Sequence, residues 1–183
     1  MPVSLQIQAH RRELTSHADA LLRFARRARI AAGLKGTVSI LIDSDLRLQA
    51  MNRHFRGKDK ATDVLSFPSA AHLQEQHAGD IAISADIAAA NARALGHSIP
   101  DEIKILVLHG MLHLAGHDHE SDSGEMATLE RKLRARLRLP GSLTERAAAP
   151  SIKRGSRKKP ARMKSRTAGR KSPARARVSR SKR

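Results

Sequence analysis

The chain has 183 residues, 40% hydrophobic and 28% charged, which suits one domain with its own core and excludes a multidomain protein. It contains no cysteine, which excludes a disulfide scaffold, a cysteine-ligated zinc ribbon and a thiol nucleophile. No apolar run approaches the ~18 residues that a membrane helix needs, and the first residues do not resemble a signal peptide, so we expect a cytoplasmic protein without membrane contact.

The net charge of +18 is concentrated at the C-terminus. Residues 151–183 hold 15 of the 35 basic residues and no acidic one, so residues 1–150 are nearly balanced, with 20 basic and 17 acidic residues. After Ala147 there is little to bury, which predicts a folded domain over 1–146 and a disordered basic tail over 147–183. Such a tail would attract nucleic acid of any sequence, or else serve only solubility. Three Phe with no Trp or Tyr disfavour an RNA-recognition sheet that stacks bases on aromatic residues.

Four segments in chain order are typical of strands. They are residues 3–7, which alternate apolar and polar side chains, the β-rich run 37–42, the run 64–67 that Pro68 closes, and residues 80–83. The last two could pair or lie apart. No internal repeat interrupts this order.

Five segments are typical of helices. They are residues 16 to about 32, a short helix after Ser44, residues 84–95, a helix that Pro100 opens, and residues 123 to about 138, which stop at Pro140-Gly141. Ser44 and Ser84 are favourable N-cap residues, while Gly33 and Gly96 are typical of helix ends. Residues 103–108 are apolar on nearly every side, so the helix from Pro100 is predicted to be the buried, central one.

The histidines that follow this central helix carry the clearest chemical signal. His109 and His113 are four residues apart, so on a helix both imidazoles leave from one face, as chelation of a metal requires. Gly116 allows the chain to turn back, which would bring His119 in as a third ligand and leave the fourth tetrahedral position open, as in a catalytic zinc site. The alternative is a surface cluster, or hydrogen-bonded histidines at a helix end.

Two neighbours of these histidines have open roles. Asp118 either accepts a hydrogen bond from a ligand histidine or belongs to a turn or cap. His117 is expected to face solvent or substrate, because His119 already matches the spacing. A ligand role for His117 would compete with that assignment.

The same spacing occurs in metzincin peptidases, as H-E-x-x-H-x-x-G-x-x-H, but Gly110 stands where they have Glu. That carboxylate is the general base of peptide hydrolysis, so its absence disfavours a peptidase. A hydrolase of an anionic substrate could instead combine metal-activated water with a cation. Arg56, which opens the charged loop 56–63, is the best candidate because a guanidinium can pair with two phosphate oxygens, although such runs are often only solvated loops.

Three blocks of the sequence resemble the YbeY family of metal-dependent endoribonucleases in order and spacing. They are NRHFRGKDKATDVLSFP at 52–68, GDIAIS at 79–84 and HGMLHLAGHDH at 109–119. The resemblance covers roughly residues 3–140. Position 117 is often aromatic in the family, and the basic tail lies outside the family core, so no family role extends to it.

The resemblance implies an α+β fold, with a small mixed four-stranded sheet packed by about five helices and a zinc site at the end of the central helix. It implies that His109, His113 and His119 bind one zinc ion per chain, and that Arg56 is important for activity. Residues 1–146 would then be a metal-dependent endoribonuclease domain.

The implied function is single-strand-specific cleavage of ribosomal RNA near the 3′ end of the small-subunit RNA, together with ribosome quality control. RNA, the ribosome and ribosomal proteins are the implied partners. The stronger alternative is a non-catalytic RNA-binding assembly factor with a structural zinc; a metallopeptidase is the weaker one. The sequence leaves open whether the ribose 2′-hydroxyl or water attacks, and it does not fix the oligomeric state.

Overall fold

The predicted strands form a single sheet in the computed structural model, which describes residues 2–9, 11–119 and 122–140. The strands are β1 (Val3–Ile7), β2 (Thr37–Asp43), β3 (Val64–Pro68) and β4 (His77–Ser84). Their order across the sheet is β1-β2-β4-β3, with β1–β2 and β2–β4 parallel and β3–β4 antiparallel. The expected mixed four-stranded sheet is therefore confirmed, and the two segments whose pairing was open are neighbours.

The ends of the strands differ slightly from the predictions. β4 begins at His77 rather than residue 80, since a polar residue and Gly79 hide its start from a search for apolar alternation. Pro68 belongs to the end of β3 and pairs with Gly79. A proline is tolerated there because β3 is an edge strand.

Six α-helices and one 3₁₀ turn occur in the described part of the chain. They are α1 (Arg12–Ser16), α2 (Ala18–Ala31), α3 (Asp45–Arg56), the turn Ala71–Leu73, α4 (Ala85–Leu95), α5 (Ile99–Leu114) and α6 (Glu125–Leu137). All five predicted helices are present. α1 is additional, because five residues are too few to show a helical period. The helix predicted from Ser16 begins at Ala18, since His17 leaves helical geometry between α1 and α2.

The predicted caps are present. The hydroxyl of Ser44 accepts a hydrogen bond from the backbone N–H of Arg47 at 3.3 Å, and Ser84 does the same for Ile87 at 3.1 Å. Gly96 ends α4 with a φ of 73°. α6 ends at Leu137, before Pro140, while Gly141 and the predicted tail over 147–183 lie outside the described residues.

The sheet separates two apolar clusters. α2 and α5 pack on the face that carries Val38 and Ile83, and they form the larger cluster. α3 packs on the opposite face, where Leu48 meets Leu65 and Ala82. No helix among the described residues is long and apolar enough to cross a membrane. α5 contacts β3 and β4, and at Gly110, near its C-terminal end, it closely approaches Ile81 and Ser66.

Candidate metal centre

Two of the histidines lie one turn apart near the end of α5. The Nε2 atoms of His109 and His113 are 3.1 Å apart, and their ring centroids are separated by 4.7 Å. Both side chains are partly buried, and that of His109 is only 12% exposed. α5 begins at the N-cap Ser98, whose hydroxyl accepts from the N–H of Asp101, and its burial along the apolar side leaves this pair at the edge of the core.

The third histidine arrives through a turn. Gly116 adopts a φ of 88°, in the left-handed region that favours glycine, and its N–H donates to the carbonyl of His113. The His119 ring then lies 5.3 Å from each of the other two rings. One nitrogen from each ring lies within 4.8 Å of the others, so the predicted convergence is confirmed. No other such group of His, Asp or Glu occurs in the described residues.

The donor set fits a tetrahedral metal ion. Bonds of about 2.0–2.1 Å to zinc would place two ligand nitrogens about 3.3 Å apart, close to the 3.1 Å between His109 and His113. His119 is exposed, so its ring is accessible for the small adjustment that would complete the set. Three imidazoles suit zinc, and also nickel or copper.

A buried carboxylate that the sequence analysis missed holds His109. The Nδ1–H of His109 donates to Oε2 of Glu130 in α6 at 3.1 Å, and Glu130 is fully buried. The sequence offers Asp118 as one candidate for such a role. Its backbone carbonyl accepts from Asp122, and its charge raises the pKa of His113. The sequence did contain a signal for this role. Glu130 is an acidic residue at a core position of the helical period of α6, between Met126 and Leu133.

Glu130 is itself fixed from the other side. Its Oε1 accepts from Nη1 of Arg134 at 3.2 Å, and Arg134 also donates through Nε to the carbonyl of Pro140 at 3.0 Å. Burial raises the pKa of Glu130, but the hydrogen bond and charge of His109 and the charge of Arg134 outweigh it, so the pKa is lowered overall. An ionised Glu130 keeps the proton on Nδ1 of His109 and leaves the Nε2 lone pair facing the cluster.

His113 is neutral at pH 7. Desolvation is the main cause that lowers its pKa to about 4, and the neighbouring His109 and His119 lower it further. The charge of Asp118 and a hydrogen bond from the His113 ring to the backbone of His117 act in the opposite direction. A neutral imidazole offers a lone pair to a metal without first releasing a proton.

Gly110, which stands where metzincin peptidases have Glu, faces the sheet. A Cβ on Gly110 would lie 2.9 Å from Cγ2 of Ile81 and 3.2 Å from Oγ of Ser66. Glycine thus permits the close approach of α5 to β3 and β4. There is no room at this position for a glutamate side chain, which agrees with the sequence argument against peptide hydrolysis.

Arg56 lies at the end of α3, beside a contact between that helix and β3. It is the exposed last residue of α3 and makes no hydrogen bond or ion pair with the other described residues. The ring of its neighbour Phe55 lies 5.1 Å from that of Phe67 in β3. The preceding residue of β3, Ser66, donates its hydroxyl to the carbonyl of Gly110, which lies between the two helical histidines. β3 therefore lies between the end of α3 and the histidine-bearing turn of α5.

This chain is similar to known proteins that share one name. An "Endoribonuclease YbeY" of Koribacter versatilis is 56% identical over 141 residues, which is 77% of this chain and 91% of that protein. An "Endoribonuclease YbeY" of Solibacter usitatus is 48% identical over 145 residues, 79% of this chain and 96% of that protein.

The fold has been seen in solution. The structure of a Thermotoga maritima protein matches with a TM-score of 0.53 at 24% identity, covering 85% of this chain and 99% of that one. The family model described as "Endoribonuclease YbeY" matches residues 4–138, which include all three histidines, Arg56 and Glu130. The chain therefore belongs to the YbeY endoribonuclease family.

Proposed function

We propose that this chain is a zinc-dependent endoribonuclease that cleaves single-stranded RNA. We place its activity at the 3′ end of the small-subunit ribosomal RNA and in ribosome quality control. The observation that carries the proposal is the convergence of His109, His113 and His119 in a member of this family. The proposed partners are ribosomal RNA, the ribosome and ribosomal proteins, and the proposed location is the cytoplasm.

Each site residue has a proposed task. His109, His113 and His119 would hold one zinc ion, and Glu130 would fix the tautomer and orientation of His109. When bound, zinc supplies a Lewis acid that polarises a phosphodiester oxygen or acidifies a water molecule. Arg56 would contact the scissile phosphate and stabilise the charge that develops on it, because its guanidinium has no competing partner among the described residues.

The domain division also stays a proposal. Residues 1–146 would form the catalytic domain, and the basic segment 147–183 would recruit RNA through counterion release. This division predicts that the tail raises affinity for any RNA without selecting the bond that is cut.

The test compares the zinc-loaded full chain with two variants on a small-subunit ribosomal RNA fragment, mapping the new 5′ and 3′ ends. The unchanged chain is expected to create defined ends. His113→Ala should lose both zinc and cleavage, whereas Arg56→Glu should keep zinc and lose cleavage. Full cleavage by either variant would overturn the assigned role. Unchanged RNA with intact binding in all samples would favour the non-catalytic assembly factor.

A further inference from the structure

One face of the sheet is only partly covered. α3 covers Leu65 and Ala82, but beside it the face opposite α5 stays open and forms a groove of about 360 Å³. Its lining includes Ser4, Gln6, Ser39, Leu41, Met51 and Phe67. The floor is therefore a mixture of small polar groups and apolar side chains, which suits a ligand with both flat apolar and hydrogen-bonding surfaces.

A second concavity adjoins this groove on α3. Its volume is about 670 Å³, and its lining includes Arg47, Arg53 and Phe55. Met51 lines both spaces, so the two meet at this side chain. We call the combined feature the α3 trough. Phe55 is 61% exposed, which is unusual for a large aromatic residue without a partner on its outer side.

The trough carries a ring platform. Phe55 meets Phe67 edge to face at a centroid distance of 5.1 Å, and it meets His54 at 4.6 Å. These contacts fix the orientation of the Phe55 ring although it is exposed. A fixed, exposed ring can stack with a base at little entropic cost.

Positive charge borders the platform. Its exposed members are Arg47, Arg53, Arg56, Lys58 and Lys60. Arg53 approaches Asp59 only to 4.0 Å, at an exposed position where such a pair contributes little. The carboxylate at the groove, Asp80, lies 3.2 Å from Nε2 of His77. The balance of charge around the trough is therefore complementary to a polyanion.

We propose that the α3 trough binds single-stranded RNA, with a base stacked on Phe55 and phosphates on Arg47 and Arg53. The inference rests on the proposed function, and it specifies how the strand approaches the site. Phe67 and its neighbour Ser66 in the edge strand β3 face opposite sides of the sheet, Phe67 toward the trough and Ser66 toward α5, so a strand on the trough would pass the edge of β3 to reach the histidines. Bases in a duplex are already stacked, so this platform selects unpaired RNA.

The α2 helix provides a matched control. Its surface also has two exposed arginines, Arg23 and Arg27, and an apolar side chain, Ile30, that is 70% exposed. Its aromatic residue, Phe24, is buried. The two helices therefore share charge and exposed apolar area, and they differ in the exposed ring.

The first test uses the absence of Trp and Tyr from the chain. Phe55→Trp and, as control, Ile30→Trp each introduce a single indole at an exposed position. Both full-length variants are titrated in the presence of chelator, so that no cleavage occurs, with a single-stranded oligoadenylate and with an RNA duplex. We expect the single strand alone to quench the fluorescence of Phe55→Trp and to leave Ile30→Trp unchanged. Equal behaviour of the two variants would overturn the proposal.

The second test separates stacking from charge. Phe55→Ala should weaken binding of the single strand about tenfold, and Ile30→Ala should not change it. The pair Arg47→Gln and Arg53→Gln should lower the slope of log affinity against log salt by about 0.7 per lost phosphate contact. The pair Arg23→Gln and Arg27→Gln should leave that slope unchanged. The tail is present in every variant and cancels in these comparisons.

The outcomes distinguish this inference from the proposed function. If Phe55→Ala binds RNA as tightly as the unchanged chain, while that chain cleaves RNA in a His113-dependent way, the trough proposal fails and the nuclease stands. If no sample cleaves RNA but the single strand still quenches Phe55→Trp, the nuclease fails and the trough stands as an RNA-binding face. If the trough variants keep both the RNA affinity and the salt slope of the unchanged chain, the trough proposal is overturned.

Discussion

Two buried histidine–glutamate pairs can be compared in this molecule. His97 Nε2 lies 2.7 Å from Glu102, and His109 Nδ1 lies 3.1 Å from Glu130. In both pairs the histidine side chain is 12% exposed and the glutamate is fully buried. The local chemistry is therefore nearly the same, although only one pair belongs to the candidate metal centre.

The difference lies at the second nitrogen of each ring. His109 uses Nδ1 for its glutamate and presents Nε2 to His113 at 3.1 Å. His97 uses Nε2 for Glu102, which also accepts from Asn91, and the pair ties the end of α4 to the start of α5. A buried His–Glu pair thus stabilises a helix junction in one place and orients a proposed ligand in the other. The pair orients a proposed ligand only where further imidazoles converge on the second ring nitrogen, as they do at His109.

The largest expected effect separates the two pairs by metal binding. His109→Ala removes one of three proposed ligands and should weaken zinc binding more than about 100-fold, beyond the usual effect of an indirect contact. His97→Ala should keep zinc affinity and lose about 1–3 kcal/mol of stability, because buried Glu102 loses a hydrogen-bond partner. Competition with a chelating dye and urea unfolding measure the two quantities. Equal loss of zinc in both variants would contradict the comparison.

A smaller effect is expected from the carboxylates. Glu130→Gln should weaken zinc binding about 10–100-fold, because a neutral amide no longer holds His109 as the Nδ1–H tautomer. Glu102→Gln is the matched control and should leave zinc affinity unchanged, although both variants lose stability. If Glu130→Gln binds zinc normally, Glu130 serves packing and the α6 ion pair with Arg134 alone.

Local patterns predicted the elements well, and long-range partners poorly. The period of the apolar residues indicated the strands and helices, and Ser44, Ser84 and Gly96 indicated helix ends. Each of these signals acts within a few residues. The spacing of His109 and His113 predicted a site on one helix face. Glu130 is 21 residues from His109, and only the packing of α6 on α5 reveals their contact. Likewise, no sequence period shows that α3 ends beside β3.

Acidification should destabilise the metal-free chain through His113. Its pKa in the folded state, about 4, lies below the ordinary 6.5, so the unfolded chain binds the extra proton between these values. The stabilisation is complete above pH 6.5 and is lost as the pH falls toward 4. Allowing for partial exposure, the loss between pH 7 and 5 should be about 1–2 kcal/mol.

Chelator-treated protein unfolded in urea at the two pH values measures this loss, and His113→Asn provides the control. The lowered pKa of Glu130 affects stability mainly below its ordinary 4.5, so Glu130 contributes little to the loss above pH 5. The same loss in His113→Asn as in the unchanged chain would assign the pH dependence to other groups.

The smallest effect is expected at His117, two residues before the proposed third ligand. Its backbone N–H donates to the carbonyl of Leu112 at 3.0 Å and so helps to end α5, while its ring is not among the three converging imidazoles. His117→Phe keeps the backbone bond, so zinc affinity should change by no more than about twofold, with one ion per chain. His119→Ala, measured in parallel, should lose zinc as His113→Ala does. The reverse ranking would make His117 the third ligand, and the Gly116 turn would then have to rearrange when the metal binds.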